Sequence, residues 1–242
     1  MPRYRQVEFS FGPPLTPVIK YLIIFTTAVF VVTFIVEARG WADPVGWFGL
    51  TPYLVTHAFL LWQPVTYLFL HGDFWHILFN LFMLWMFGGE LEQRWGAKQF
   101  LFYFFLTGIG AGLCDIAVHP SAKIPTIGNS GAIYGLLMAY GILFGDRPVL
   151  FSMILPMKAK WMVVIMGAIE LLSSFRSGSG SGISHVAHLG GMLFGYIYLR
   201  GWSLPYRWQL QYHEWRRAQL RKKFEVYMRD HEKKDDPNRW VN

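Results

Sequence analysis

Residues 21–36 read YLIIFTTAVFVVTFIV, sixteen positions with no charged side chain. With its apolar flanks the run reaches the ~20 residues that cross about 30 Å of hydrocarbon as a helix. No small-residue cleavage site follows it, and it is long enough to span. It therefore reads as a first transmembrane helix rather than a removed leader. This stretch decides the class of the chain, because the same blockwise pattern returns along most of the remaining residues.

Of the 242 residues, 53% are hydrophobic and only 15% charged, against about 25% charged in an average soluble domain. Because the apolar residues fall in long blocks, the deficit is that of a polytopic membrane protein and not of a large soluble core. Six segments are candidates to span, near 18–36, 71–88, 97–117, 127–144, 160–174 and 184–200. The fifth is short, its near edge marked by Pro156, Lys158 and Lys160. The expectation is an all-α bundle of six transmembrane helices over residues 17–200, with a short arm (1–16) before it and a basic tail (201–242) after it. The single cysteine, Cys114, leaves no intrachain disulfide framework.

Charge orients the bundle. The connections after helices two and four hold Arg94, Lys98, Arg147, Lys158 and Lys160, whereas those after one, three and five hold Arg39, Lys123 and Arg176. Arg3, Arg5 and the tail add to the first set, so the positive-inside rule puts both termini in the cytoplasm. The long connection 37–70 is rich in Trp, Tyr and Phe, side chains that settle at the outer interface. Residues 207–239 hold ten Lys or Arg against six Asp or Glu, with aromatic and Leu residues at roughly helical spacing. That pattern fits a helix on the surface of an anionic membrane, and no nucleic-acid partner is expected. The stretch SSFRSGSGSGIS (173–184) reads as a Gly/Ser link before the sixth segment.

Polar residues inside a span are costly and are functional candidates by default. They occur in HGDFWHILFN (71–80), in PTIGNSGAIYG (125–135), in SGISHVAHLGG (181–191) and at Asp115. Segments two, four and six run in the same direction, so their early residues share a depth. At 1.5 Å per residue, His76, Ser130 and His188 lie about 5–8 Å below the outer helix ends, with Asn80 one turn below His76. Each has an ordinary explanation alone: Ser130 among glycines as helix packing, Asn80 as interhelical glue, His71 and His185 as interfacial residues at helix ends, Asp115 as a water-facing group.

Together they make a chemical set. A serine hydroxyl needs a base, which His188 supplies, and His188 can return the proton to a leaving amine. The backbone N–H groups of Ser130 and Asn129, the Asn80 amide and the His76 ring are candidate oxyanion donors. No carboxylate lies on the sixth segment, which points to a Ser–His dyad.

HGDFWHILFNLFMLWMFGGELEQRWG (71–96), IGNSGAIYG (127–135) and VAHLGGMLFGY (186–196) closely resemble the three signatures of the rhomboid family of intramembrane serine proteases. The resemblance covers about residues 17–200. It implies Ser130 as nucleophile, His188 as base, His76 and Asn80 as oxyanion-stabilising residues, and Tyr134 as the ring packed on the histidine. It also implies that Gly191 and Gly195 let helix six approach helix four; Gly128, Gly131 and Gly135 read as packing positions from their small size alone. Glu92 and Arg94 match a structural polar pair in the loop after helix two. Helix five is implied to be a lateral gate, and the first long loop to lie in the outer leaflet. Asn129 stands where small or apolar residues are more usual.

The implied partners are transmembrane protein substrates and the lipid bilayer, and the chemistry requires neither a metal nor an organic cofactor. Two other readings compete. One is a metal enzyme using His71, His76, His185 and His188, which lacks an HExxH motif. The other is a non-catalytic rhomboid-like binder of membrane clients. The six-span plan and the lack of an Arg- and Ser-rich leader favour a bacterial or archaeal plasma membrane.

Overall fold

The computed structural model describes residues 13, 15–151, 155–176 and 184–201. Most of the N-terminal arm, residues 177–183 of the Gly/Ser link and the tail beyond 201 lie outside the described residues. Chain contacts group residues 1–196 into one compact unit and 197–242 into another; of the second, only 197–201, the last turn of a helix, is described.

The long helices are α1 (Pro17–Ala38), α5 (Phe74–Trp95), α6 (Ala97–Val118), α7 (Ser130–Leu143), α8 (Ala159–Arg176) and α9 (His185–Gly201). Between α1 and α5 run the short helices α2 (Pro44–Phe48), α3 (Pro52–His57) and α4 (Gln63–Thr66), and the 3-10 turn Tyr67–Phe69. By length and composition α1, α5 and α6 can each cross a membrane, and α7 is a shorter apolar helix. An antiparallel hairpin, β1 (Pro148–Phe151) with β2 (Leu155–Lys158), departs from the all-α expectation. At its base the Lys160 and Lys158 ammonium groups hold the Asp146 carboxyl below the usual carboxylate range.

Local chemistry sets the boundaries. Pro17 starts α1 at a position where its missing N–H costs nothing. Asp73 caps α5, its side chain accepting from the His76 N–H at 2.9 Å. Gly96, at φ +80°, ends α5 and begins α6. The second segment runs to Trp95 rather than residue 88, because the Gly88–Gly89 step packs inside a helix instead of ending one. Gly88 lies against Ile19 and Phe100. Glu92 and Arg94 accordingly sit in α5 and not in a loop, and Glu92 is 4% exposed. It accepts from the N–H groups of Val18 (3.0 Å) and Ile19 (3.1 Å) and from the Thr16 hydroxyl, closing the open end of α1.

Helix α7 packs against α5, α6 and α8, and its central residues Leu136 and Leu137 are buried with Leu84, Phe100, Tyr103 and Phe104. By contrast only 22% of the apolar window of α1 is buried, and Tyr21, Ile24, Phe25, Val32 and Phe34 are exposed. An apolar face of that length suits an apolar solvent.

The connection 37–70 is folded back onto the helices rather than left as an open loop. Buried Gln63 accepts from the Thr51 N–H at 3.0 Å, and the Tyr67 hydroxyl donates to the Gly108 carbonyl at 2.6 Å. Leu50 and Thr126 exchange both backbone hydrogen bonds (2.9 and 2.8 Å), tying this connection to the segment that leads into α7.

Candidate active site

Helix α7 begins at Ser130, three residues later than the sequence segment. The reason is Gly128, whose φ of +105° lies outside the helical region, and Asn129, which occupies the cap position. A Cβ on Gly128 would also stand 2.7 Å from His76 Nε2, so this position tolerates no side chain. The Gly128 N–H donates to the Tyr67 carbonyl at 2.9 Å and is therefore occupied. Ser130, as the first helical residue, presents an N–H with no partner within the helix, at the positive end of the helix dipole.

Across from it α9 brings His188. Its approach is as close as backbones allow: a Cβ on Gly191 would collide with the Gly131 carbonyl oxygen, and one on Gly195 with the Tyr103 hydroxyl and Gly135. At this spacing Ser130 Oγ lies 2.7 Å from His188 Nε2. The Tyr134 ring, one turn after Ser130, stacks on the His188 ring at 4.4 Å between centroids and 15° between planes.

Ser130 and His188 border a cavity of about 420 Å³, walled also by His76, Asn80, Thr126 and Ser184. Asn80 gives one amide hydrogen to the His76 carbonyl at 2.8 Å, which leaves its second donor free. His76 Nδ1 faces the Gly72 N–H at 3.4 Å; as the acceptor there, it leaves Nε2 to carry the ring proton beside Gly128. Ser130, His188, His76 and Asn80 are thus brought to one cavity.

Other polar candidates lie elsewhere. Asn129 is 1% exposed and does not line the cavity. Asp115 accepts from the Thr126 hydroxyl and meets His119 Nδ1, each at 3.0 Å, and so holds the segment before α7. His71 is buried against the His76 ring, outside the cavity wall.

One residue escaped the sequence reading. Glu170 of α8 is 6% exposed; it accepts from the Tyr134 hydroxyl and from His185 Nδ1 at 2.6 Å. Its Oε2 also lies 3.0 Å from His188 Nδ1. The signal was available: Glu170 is an ionisable residue inside the apolar run MVVIMGAIELL (162–172), the same cue that singled out His76. Glu170, His185 and His188 offer ligand atoms within 4.8 Å of one another, so a metal set, if one existed, would centre here and not on His71 and His76. Ligand atoms around tetrahedral zinc stand about 3.3 Å apart. The separations of 2.6 and 3.0 Å are those of hydrogen bonds.

A family model described as the rhomboid domain matches residues 58–204, more than half of the chain. Among curated proteins, the chain is 28% identical over 197 residues to rhomboid protease GlpG of Yersinia pseudotuberculosis, covering 80% of this chain and 64% of that one. GlpG of Yersinia pestis matches to the same extent. Rhomboid protein 1, mitochondrial, of Saccharomyces cerevisiae is 25% identical over 171 residues, covering 68% of this chain. The chain spans about half the length of the yeast relative.

Proposed function

The chain belongs to the rhomboid family, and on that premise we propose that it is an intramembrane serine protease using Ser130 and His188. The family and the apolar helices make it an integral membrane protein. The observation that carries the proposal is the 2.7 Å contact of Ser130 Oγ with His188 Nε2, inside a cavity also walled by His76 and Asn80.

The reaction follows from the groups. His188 Nε2 takes the hydroxyl proton as Ser130 Oγ bonds to the carbonyl carbon of the scissile peptide. The negative charge gathers on the former carbonyl oxygen, where the Ser130 N–H, the free Asn80 amide hydrogen and His76 Nε2–H are the donors on offer. As the carbon–nitrogen bond breaks, His188 returns the proton to the leaving amine. Water then attacks the acyl ester by the same relay and frees Ser130.

Geometry also supports reaction below a membrane surface. With fourteen residues α7 is about 21 Å long, short of the ~30 Å hydrocarbon thickness. A helix of that length, flanked by longer ones, leaves its N-terminal serine beneath one surface with a water-accessible cavity above it. In this reading α1, α5, α6, α7, α8 and α9 are the six spans, over 17–200, with 1–16 and 201–242 as flanking segments. Both termini lie in the cytoplasm of a bacterial or archaeal cell, and the cavity opens on the opposite face. The substrates are transmembrane segments of other proteins, and those with weak helix formers near the cavity end are cleaved best, because the scissile bond must leave its helix.

A fluorophosphonate probe and a single-pass model substrate test the proposal. The expected result is covalent labelling and cleavage by the parent chain, both abolished in Ser130→Ala, with labelling also lost in His188→Ala. Cleavage that persists in a folded Ser130→Ala variant rejects it. Binding of a membrane client without any labelling would favour a non-catalytic binder instead.

A further inference from the structure

The contact between Glu170 and His188 bears on the proposed mechanism, and its significance rests on the protease reading. If His188 Nε2 is to accept the serine proton, it must be bare, and the neutral imidazole then carries its one hydrogen on Nδ1. That Nδ1 is fully buried and makes no aligned hydrogen bond. A buried N–H left without an acceptor is costly and disfavours the very tautomer catalysis requires. Glu170 Oε2 stands 3.0 Å away, so a small rotation of the ring completes the bond.

The carboxylate is itself held in place. Oε1 receives the Tyr134 hydroxyl and Oε2 receives His185 Nδ1. Tyr134 also covers the face of the His188 ring, so the residue that packs the imidazole is the residue that anchors the carboxylate. We propose that Glu170 is a positioning residue of the catalytic set: it accepts the Nδ1–H of His188, fixes the reactive tautomer and balances the positive ring formed when His188 takes the serine proton. The nucleophile, the base and the carboxylate then come from three different helices, α7, α9 and α8, and the site is complete only when all three are seated.

The ordinary alternative is a tether, since the His185 contact is the shorter of the two. The experiment separates them in the full chain reconstituted in liposomes. It measures the rate of fluorophosphonate labelling of Ser130, kcat and KM on a transmembrane substrate, and thermal unfolding for Glu170→Gln, Glu170→Asp and His185→Gln.

A positioning role predicts that Glu170→Gln lowers labelling and kcat together by about a hundredfold. KM should stay within about threefold, because the substrate contacts are untouched. Glu170→Asp should recover at least about tenfold of the loss, and His185→Gln should stay within about fivefold of the parent. If Glu170→Gln does not fold, Glu170→Met combined with His185→Leu removes the carboxylate and its tether as a pair, and the same hundredfold slowing is expected.

Labelling by Glu170→Gln, or by the double variant, at the parental rate overturns the assignment, as does a loss in His185→Gln equal to that in Glu170→Gln. A parent chain labelled at Ser130, with Glu170→Gln unaffected, would leave the protease reading standing and remove only Glu170. A parent chain that is never labelled removes both.

Discussion

Glu92 and Glu170 are two carboxylates buried to nearly the same degree, 4% and 6% exposed, each inside an apolar helix. Their surroundings differ in kind. Glu92 meets two backbone N–H groups and one hydroxyl at the start of α1, all of which stay in place whatever happens in the cavity. Glu170 meets a phenol and two imidazoles, one of which is 2.7 Å from the Ser130 hydroxyl. Burial alone therefore says nothing about chemistry. What separates a cap from a candidate positioning group is whether its donors can change protonation.

That contrast predicts opposite phenotypes. Glu92→Ala leaves three donors at the end of α1 without their acceptor. At about 1–3 kcal/mol for each unsatisfied buried group, partly recovered by relaxation, the loss should be roughly 3 kcal/mol. Thermal unfolding in detergent should show the drop, while Ser130 labelling per folded molecule stays at the parental level. A Glu92→Ala chain that unfolds normally but no longer labels would erase the distinction.

The next test strains the spacing that puts Ser130 and His188 together. In Gly191→Ala the new methyl meets the Gly131 carbonyl, and α7 and α9 must separate. Overpacking of this kind costs about 1–3 kcal/mol. Because a shift of about 1 Å can slow a reaction a hundredfold, labelling should fall at least tenfold even in the folded fraction. Parental labelling in that variant would mean that the 2.7 Å contact survives by another packing.

How much of this was legible in the sequence depends on whether the information was local. Ser130, His188, His76 and Asn80 share a small offset from the starts of segments that the six-span reading runs in one direction, so counting residues brought them together. Glu170 falls late in the fifth segment, which on the six-span reading runs the opposite way, so the same count needed segment direction added to it. The sixth segment, where the proposed base His188 lies, holds no carboxylate, and that absence pointed to a dyad. The Gly88–Gly89 step was illegible for another reason. Glycine weakens a lone helix, and only the neighbours Ile19 and Phe100 make the absence of a side chain an asset there. The Leu50–Thr126 bridge likewise joins distant segments and leaves no periodic trace.

A smaller effect should come from Tyr134→Phe, which keeps the ring on His188 and removes only the hydroxyl held by Glu170. One hydrogen bond to a charged acceptor is worth about 1.5–3 kcal/mol, but His185 still grips the carboxylate. A three- to tenfold fall in kcat is therefore expected, about 0.7–1.4 kcal/mol of barrier. Tyr134→Ala should be worse, because the stacking is lost as well. If the two variants are equal, the hydroxyl and not the ring is what the site needs, and Glu170 is held chiefly by Tyr134.

The smallest expected effect is none at all. Glu170, His185 and His188 have the residue types of a metal set, but their separations of 2.6 and 3.0 Å suit shared protons better than a shared cation. Incubation with a strong chelator should leave cleavage and Ser130 labelling unchanged, whereas an enzyme dependent on zinc would lose both. Added zinc gives the converse test. To bind there it must displace the Nδ1–H of His188 and spread the three ligand atoms, taking Glu170 from its proposed partner. Slowed labelling on zinc addition, reversed by the chelator and absent in His185→Gln, would show that the same three side chains can be diverted from positioning the base to holding an ion.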